Sequence, residues 1–545
     1  MKVLVLGGVA AGTKVAAKLL RQDRSAEVTI LTKGKDISYA GCGLPYYVGD
    51  VIHQESQLIV NTPEKYTKLT GAKVLTQMEA VAVKSQEHKV EAKNLQTGQM
   101  EEYAYDKLVI ATGASPFVPE IPGLDLKNVF VMRTPEDAIA LRKAVETGEI
   151  KRAVVAGGGF IGLEVAENLA ARGVKVSVLD FAPHVLPNFL DPELSAYVED
   201  KMAEEGIMPM TGVALEGVEG TEKVEKVLTS RRGLKADALV LAIGIRPNTA
   251  FLEGSGIEMF KGTILTDAYM KTNVADVYAA GDCAMVTNRQ TGKGAWSPMG
   301  STANISGRVL AENLAGAQVE YPGVLGTGVA KLPGGLNAGR TGLIETAARA
   351  EGYDVISVIT VVDDKAHYYP GAASFIVKLT ADKKSRKLLG VQVLGPGAVD
   401  KVTDIAVTAI SLGATVDQLA TMDFAYAPPF STAIHPFAHS VNVLMNKMDG
   451  NLDSITPVEY ADGKAEGYEI IDCTLAPTLE GKRYLDLTSI NGEVPGLNKE
   501  DKLLLVCAKG KRAYLTQNRL KHYGYTNTRV LEGGITFTEI EEEDA

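Results

Sequence analysis

At 545 residues the chain is longer than one hydrophobic core supports, and its length points to three or four domains. Hydrophobic residues at 46% and charged residues at 23% are ordinary globular values, while 56 basic against 67 acidic side chains give a net charge of -11. That balance excludes a global field for nucleic acid or anionic lipid, and no apolar run reaches the length of a membrane span.

Met1-Lys2 leads straight into an apolar strand, Val3 to Leu6, leaving no room for a signal peptide and giving the expectation of a cytoplasmic protein. The four cysteines, Cys42, Cys283, Cys473 and Cys507, lack the paired spacing of a zinc site or disulfide framework and read as reduced thiols. The 55 glycines point to tight turns and backbone-lined ligand sites.

The opening strand meets Gly7-Gly8-Val9-Ala10-Ala11-Gly12 and then a helical stretch, Thr13 to Arg21. Strand, glycine turn and helix form a dinucleotide-binding unit, in which Gly7, Gly8, Ala11 and Gly12 bring helix amides to a pyrophosphate. The match departs from the usual pattern twice. Val9 takes the middle glycine position, and Thr32 stands after the second strand, Glu27 to Leu31, where a ribose-binding acid is usual.

One secondary-structure unit later comes Ile37-Ser38-Tyr39-Ala40-Gly41-Cys42-Gly43-Leu44-Pro45-Tyr46-Tyr47. Gly41 and Gly43 allow close backbone approach, and Pro45 suits the first turn of a helix whose dipole favours a thiolate at Cys42. A thiol here lies where a bound dinucleotide cofactor would meet it, and Cys42 is read as redox-active in preference to a packed small hydrophobe.

The second copy is more complete: strand Ala153 to Ala156, then Gly157-Gly158-Gly159-Phe160-Ile161-Gly162, a helix through Leu169, and strand Lys175 to Leu179 ending in Asp180. Gly157, Gly159 and Gly162 satisfy the dinucleotide fingerprint, and Asp180 falls where an acid bonds ribose hydroxyls and repels a 2'-phosphate. NADH is therefore preferred over NADPH.

Two further strands end in glycine turns: Tyr105 to Ala114, carrying Thr112-Gly113, and Thr272 to Asp282, carrying Gly281-Asp282. With the two fingerprints, these segments resemble the FAD-dependent pyridine nucleotide-disulfide oxidoreductases. The resemblance implies that Asp282 bonds the ribityl chain of FAD and that an NAD domain, residues 113–244, is inserted within an FAD domain, residues 1–112 and 245–320. No partner cysteine follows Cys42 in its helix, so the chain resembles the single-cysteine branch, with its coenzyme A disulfide, persulfide and polysulfide reductases and its NADH oxidases. Gly41 departs from the Asn common before that cysteine.

The same resemblance implies a dimerisation domain over residues 321–448, an α+β unit, and a homodimer in which one tyrosine from each of two motifs reaches into the other subunit's site. Those tyrosines are Tyr368, with Tyr369 as the alternative, and Tyr426. Coenzyme A, as substrate or as a bound mixed disulfide, needs cations for its phosphates; Lys18, Arg21 and Arg308 are the candidates, with Ser38 in the cysteine motif. A solvated helix face is the alternative for Lys18 and Arg21.

Residues 456–545 read as a short α/β domain in which strand Leu503 to Val506 leads into Cys507-Ala508-Lys509-Gly510-Lys511-Arg512 and a helix from Ala513 to His522. Backbone amides and cations around Cys507 suit a thiolate or persulfide anion. The loop resembles that of rhodanese-like sulfurtransferases, with Arg512 at the motif arginine. Cys473-Thr474 stands where that family has Val-Arg; Cys473 reads as packed, with a resolving thiol as the alternative, and Cys283 reads as buried.

The whole is an α/β chain: two nested Rossmann-like domains, an α+β dimerisation domain and a C-terminal rhodanese-like α/β domain. The expected activity is FAD-dependent reduction by NADH of coenzyme A persulfide, polysulfide or coenzyme A disulfide through Cys42, with Cys507 carrying sulfane sulfur. A flavin NADH oxidase using oxygen, and a sulfur carrier with a degenerate rhodanese-like binding module, are the alternatives. Neither nucleic acid nor membrane is an expected partner.

Overall fold

The structure, a computed structural model, describes residues 1–540. They form two compact units, one of Met1–Val185 with Met202–Val324 and one of Leu186–Lys201 with the chain from Leu325.

The first unit holds two parallel five-stranded sheets. In one, Val277–Ala279, Lys107–Ile110, Lys2–Leu6, Glu27–Thr32 and Lys73–Thr76 lie side by side, so the strand ending in Gly281-Asp282 joins the N-terminal sheet from 170 residues downstream of Lys107. Alternation along the first strand explains its burial on both faces. Val3 and Val5 pack with Val15 and Leu19 of helix Ala11–Gln22, while Leu4 and Leu6 pack with Met78, Val83 and Val90 of an antiparallel three-stranded layer.

The second sheet orders Val129–Val131, Ala238–Leu241, Arg152–Ala156, Lys175–Leu179 and Met208–Met210, again all parallel. Its leading helix, Pro135–Glu146, is started by a capping box: Thr134 and Asp137 exchange side-chain and backbone hydrogen bonds and Pro135 occupies the first turn, a device that contributes about 1 kcal/mol.

In the second unit an antiparallel sheet runs Gly328–Lys331, Asn337–Gly342, Leu388–Gly395, Ser374–Asp382 and Val355–Asp363, covered by helices Val399–Ser411 and Pro436–Met448. A parallel sheet follows, ordered Ser454–Ile455, Thr528–Leu531, Leu503–Val506, Glu469–Asp472 and Arg483–Tyr484, with helix Lys511–His522 on one face. Among the described residues no helix is long and apolar enough to cross a membrane.

Candidate active site

Gly7, with φ +112°, ends the first strand against the backbone of Ala111, and any side chain there would collide with the Ala111 carbonyl. A side chain on Gly12 would in turn collide with the Gly7 carbonyl, so the helix starts directly beneath the turn. Gly281, with φ +83°, brings the Gly-Asp turn onto the same helix end, where a Cβ would lie 3.0 Å from that of Ala11. Thr112 and Gly113 are tied to the neighbouring loop: Thr112 Oγ1 donates to the Asn248 carbonyl at 2.7 Å, and Asn248 N donates to the Gly113 carbonyl at 2.9 Å. The structure thus gathers Gly7, Gly8, Ala11, Gly12, Thr112, Gly113, Gly281 and Asp282 at the carboxyl ends of adjacent strands. Helix Ala11–Gln22 has no side-chain cap, which leaves its first amides for an anion, as an FAD pyrophosphate requires.

The second cradle repeats this logic. Gly157, φ +111°, abuts Ala242, and Gly162 abuts the Gly157 carbonyl. Gly159 differs, because a side chain there would meet nothing within 4 Å. Packing does not demand glycine at that position, and helix Phe160–Ala171 has no side-chain cap, which leaves its first amides for an anion. Asp180 Oδ2 accepts from Gly158 N at 2.6 Å and Oδ1 from Ala182 N at 2.8 Å, so this carboxylate is held beside the loop.

Cys42 lies in a single 3-10 turn, Gly41–Gly43, ahead of the five-residue helix Leu44–Val48, with Pro45 in that helix's first turn. It is the only exposed cysteine of the four. Around it stand Glu164, Asp282 and Arg133, and the expected thiolate is not what they produce. Desolvation in the recess, followed by the Glu164 and Asp282 carboxylates, pushes the thiol above its ordinary value, and Arg133 only partly opposes them. One short helix end does not outweigh that burial and two acids.

Two members of this cluster, Arg133 and Glu164, escaped the sequence reading. Arg133 precedes the capping box, and Asp137 Oδ2 holds its backbone N at 3.0 Å; its Nη2 reaches Asp282 Oδ2 at 3.1 Å. Glu164 sits two residues beyond Gly162 and accepts from the Tyr46 hydroxyl at 3.0 Å. Burial raises the Glu164 carboxyl to about 7, opposed by the Tyr46 hydrogen bond and reinforced by Glu167. An acid on the fingerprint's own helix was the available signal for Glu164; the capping box was the one for Arg133.

The candidate phosphate cations are already engaged. Lys18 Nζ pairs with Glu312 at 3.1 Å, and Arg308 Nε reaches the same carboxylate oxygen at 3.4 Å, so both predicted cations meet around one acid on helix Gly300–Leu314. Arg21 is the exposed basic residue in the last turn of its helix. Ser38 adopts φ +48° beside the first cradle, and its N donates to the Gly8 carbonyl at 2.9 Å.

In the second unit, Tyr368 and Tyr426 converge although 58 residues apart, their hydroxyl oxygens 3.3 Å from each other and both rings exposed. Cys507 closes the strand Leu503–Val506 and is 3% exposed, its sulfur accepting from Ala513 N at 3.3 Å. The loop's cations are paired with carboxylates: Arg512 Nη2 bonds Asp486 at 2.5 Å and Lys509 Nζ bonds Asp363 at 2.6 Å. Gly534 lets the closing segment press on the loop, with Ile535 N donating to the Cys507 carbonyl at 3.1 Å.

Two dinucleotide cradles with an exposed thiol between their motifs set the frame for comparison with known proteins. The family described as pyridine nucleotide-disulphide oxidoreductase matches residues 1–302, more than half of the chain. The chain belongs to this family. It is therefore an oxidoreductase of a group that depends on FAD and NAD(P)H. The family's dimerisation domain matches residues 334–438, and a rhodanese-like domain matches residues 440–537. A solved NAD-dependent persulfide reductase from A. fulgidus shares 35% identity and a TM-score of 0.93, covering 98% of this oxidoreductase and 100% of its own chain. The NAD(P)H sulfur oxidoreductase (CoA-dependent) of Pyrococcus furiosus is 36% identical over 81% of this chain and 99% of its own. An NADH oxidase of Methanocaldococcus jannaschii is 34% identical over 82% and 99%.

Proposed function

We propose that this oxidoreductase uses NADH to reduce coenzyme A persulfide, polysulfide or coenzyme A disulfide through Cys42, with Cys507 carrying sulfane sulfur. The observation that carries the reading is the thiol itself: Cys42 is the one exposed cysteine, and among the described residues the other three are buried. A lone accessible thiol stores the oxidised state as a mixed disulfide or persulfide with its substrate. FAD, when bound in the first cradle, supplies the relay of electrons from nicotinamide to sulfur. Gly7 to Gly12 and Asp282 would hold that cofactor, and Gly157 to Gly162 with Asp180 would hold NADH.

The chain's own groups then handle charge and protons. Arg133 offsets the acids beside Cys42 as sulfur leaves, and Glu164 changes protonation close to neutral pH next to the thiol. In a homodimer, Tyr368 and Tyr426 of one subunit would serve the other subunit's Cys42, donating hydroxyl protons to a departing thiolate. Arg21, Ser38, Lys18 and Arg308 are the proposed coenzyme A contacts, with Lys18 and Arg308 released from Glu312 by the incoming phosphate. The relatives named for sulfur, persulfide and coenzyme A support this reading, and the rhodanese-like match supports a substrate bearing an extra sulfur.

A second reading, an NADH oxidase consuming oxygen, is favoured by the relative of that name. Anaerobic NADH oxidation by the pure protein with coenzyme A persulfide, coenzyme A disulfide and polysulfide in separate reactions, followed by an oxygen control, separates the two. Sulfur-dependent turnover that disappears in Cys42→Ser is expected. Faster turnover with oxygen than with every sulfur acceptor would sink the primary reading.

A further inference from the structure

The buried thiol of Cys473 belongs to none of the steps above, yet the sheet places it beside Cys507. Strands Glu469–Asp472 and Leu503–Val506 pair in parallel with Asp472 opposite Val506, and the ladder continues with Cys473 N donating to the Val506 carbonyl at 2.7 Å. Cys473 and Cys507 are therefore the next residues in register at the carboxyl ends of neighbouring strands.

Both side chains enter the same apolar cluster with Ala513 and Leu520, the face covered by helix Lys511–His522. Cys507 Sγ accepts from Ala513 N, and the Cys473 thiol meets the Thr516 hydroxyl one turn further along that helix. Neighbouring strands lie about 4.8 Å apart. That spacing falls inside the roughly 4.4–6.8 Å between Cα atoms that a disulfide spans. Cys473 is fully buried, so the thiol beside it is the partner it can reach without solvent.

We propose that Cys473 is the resolving thiol for sulfur carried on Cys507. The inference rests on the proposed carrier role of Cys507. The Cys473 sulfur attacks the inner sulfur of the Cys507 persulfide; the bond from inner to outer sulfur breaks, a Cys473–Cys507 disulfide forms, and the outer sulfur leaves as hydrosulfide with the Cys473 proton. The two cysteine sulfurs end as a disulfide and the outer sulfur is reduced to sulfide, so the step needs no outside oxidant. Two equivalents of a low-molecular-weight thiol restore the pair, yielding two protein thiols and one small-molecule disulfide.

Burial keeps the Cys473 thiol protonated, pushed up to about 12 chiefly by desolvation, which shields it from solvent oxidants and alkylating agents until a persulfide forms next to it. Transfer of the Cys473 proton to the outer sulfur of the persulfide anion generates the attacking thiolate at that moment and readies the outer sulfur to leave as hydrosulfide.

The test uses the reduced full-length flavoprotein, freed of small thiols under anaerobic conditions and mixed with a stoichiometric amount of polysulfide. Samples are denatured in iodoacetamide and digested without reductant, and released sulfide is assayed in parallel. The wild type is expected to give a peptide cross-linked between Cys473 and Cys507 together with sulfide. Cys473→Ser and Cys473→Ala are expected to give no such cross-link and less sulfide than the wild type, but to accumulate alkylated persulfide at Cys507, with an unchanged thermal unfolding profile confirming that both variants fold. A stable Cys507 persulfide and freely alkylated Cys473 in the wild type would overturn the resolving role while leaving the carrier intact. No sulfur on Cys507 in any form would overturn carrier and resolving role together.

Discussion

Replacing Tyr46 by phenylalanine removes the hydroxyl that donates to Glu164 at 3.0 Å and leaves the rest of the ring in place. Burial holds the Glu164 carboxyl at about 7, and the hydroxyl is the group that pulls it down. A hydrogen bond to a charged acceptor is worth roughly 1.5–3 kcal/mol, and one pH unit corresponds to about 1.4 kcal/mol. Tyr46→Phe should therefore move the Glu164 titration upward by about one to two units. Because ionised Glu164 holds the Cys42 proton on, Cys42 alkylation by a neutral reagent reads the shift directly. The rate-against-pH curve should inflect near 7 in the wild type, higher in Tyr46→Phe, and show no such inflection in Glu164→Gln. The same shift has a signed effect on stability. A carboxyl raised in the folded state binds its proton more tightly there than in the unfolded chain, so stability falls as pH rises from about 4.5 through about 7 and is level above that. The shift corresponds to about 3 kcal/mol, an upper figure for a group that is partly solvated. Equal inflections in wild type and Tyr46→Phe would refute this account of the pair.

Two further perturbations test charges with defined surroundings. Asp180→Ala combined with Phe181→Arg, the latter at an 81% exposed side chain, removes the acid expected to repel a 2'-phosphate and adds a cation for it; the NADPH-to-NADH ratio of kcat/KM should rise by on the order of tenfold or more, about 1.4 kcal/mol, in steady-state assays, and an unchanged ratio would exclude Asp180 as the discriminating acid. Lys378, 3% exposed, stands among Asp191 at 3.0 Å, Glu345 at 2.9 Å and Glu193, so Lys378→Met leaves one buried and two partly buried acids without a cation and should cost about 3–5 kcal/mol. In the wild type Glu345 is lowered to about 2, so its stabilisation is present above 4.5 and lost as pH falls through about 2; without Lys378 the acids resist ionisation instead. The melting-temperature gap should widen from pH 5 to pH 8, and a gap that stays constant would refute the charge argument.

The elements carrying covalent or steric necessity were legible in the sequence. Gly7, Gly12, Gly157 and Gly162 read correctly as turn glycines because each lacks room for a side chain against a specific carbonyl, a constraint local to its own strand and helix. Asp180 was legible for the same reason, since it closes the strand beside its own loop. What could not be read were partners brought by distant segments. Arg133 meets Asp282 across 149 residues, Tyr46 meets Glu164 across 118, and no periodicity within either segment encodes the pairing. The expectation of a thiolate at Cys42 failed for that reason: the nearby helix end was visible, whereas the two acids arrive from elsewhere in the chain. The acids that pair with Arg512 and Lys509 were equally illegible. Their loop places both cations near Cys507 in the chain, and Asp486 and Asp363 reach them from other segments.

The two proposed sulfur-bearing thiols differ in exposure, and on the proposed reading that difference gives sulfur a direction. Cys507 is 3% exposed with the Ala513 N–H aimed at its sulfur, a setting that shelters a carried sulfur from solvent. Cys42 is exposed beside Glu164 and Asp282, a setting that disfavours a standing anion and so favours the neutral mixed disulfide or its complete reduction. Sulfur sheltered at one thiol and discharged at the other needs only an intermediate thiol to move between them. Cys473 supplies the exit when no such thiol accepts the sulfur, because its attack on the Cys507 persulfide releases sulfide and leaves a disulfide that two small thiols can reopen.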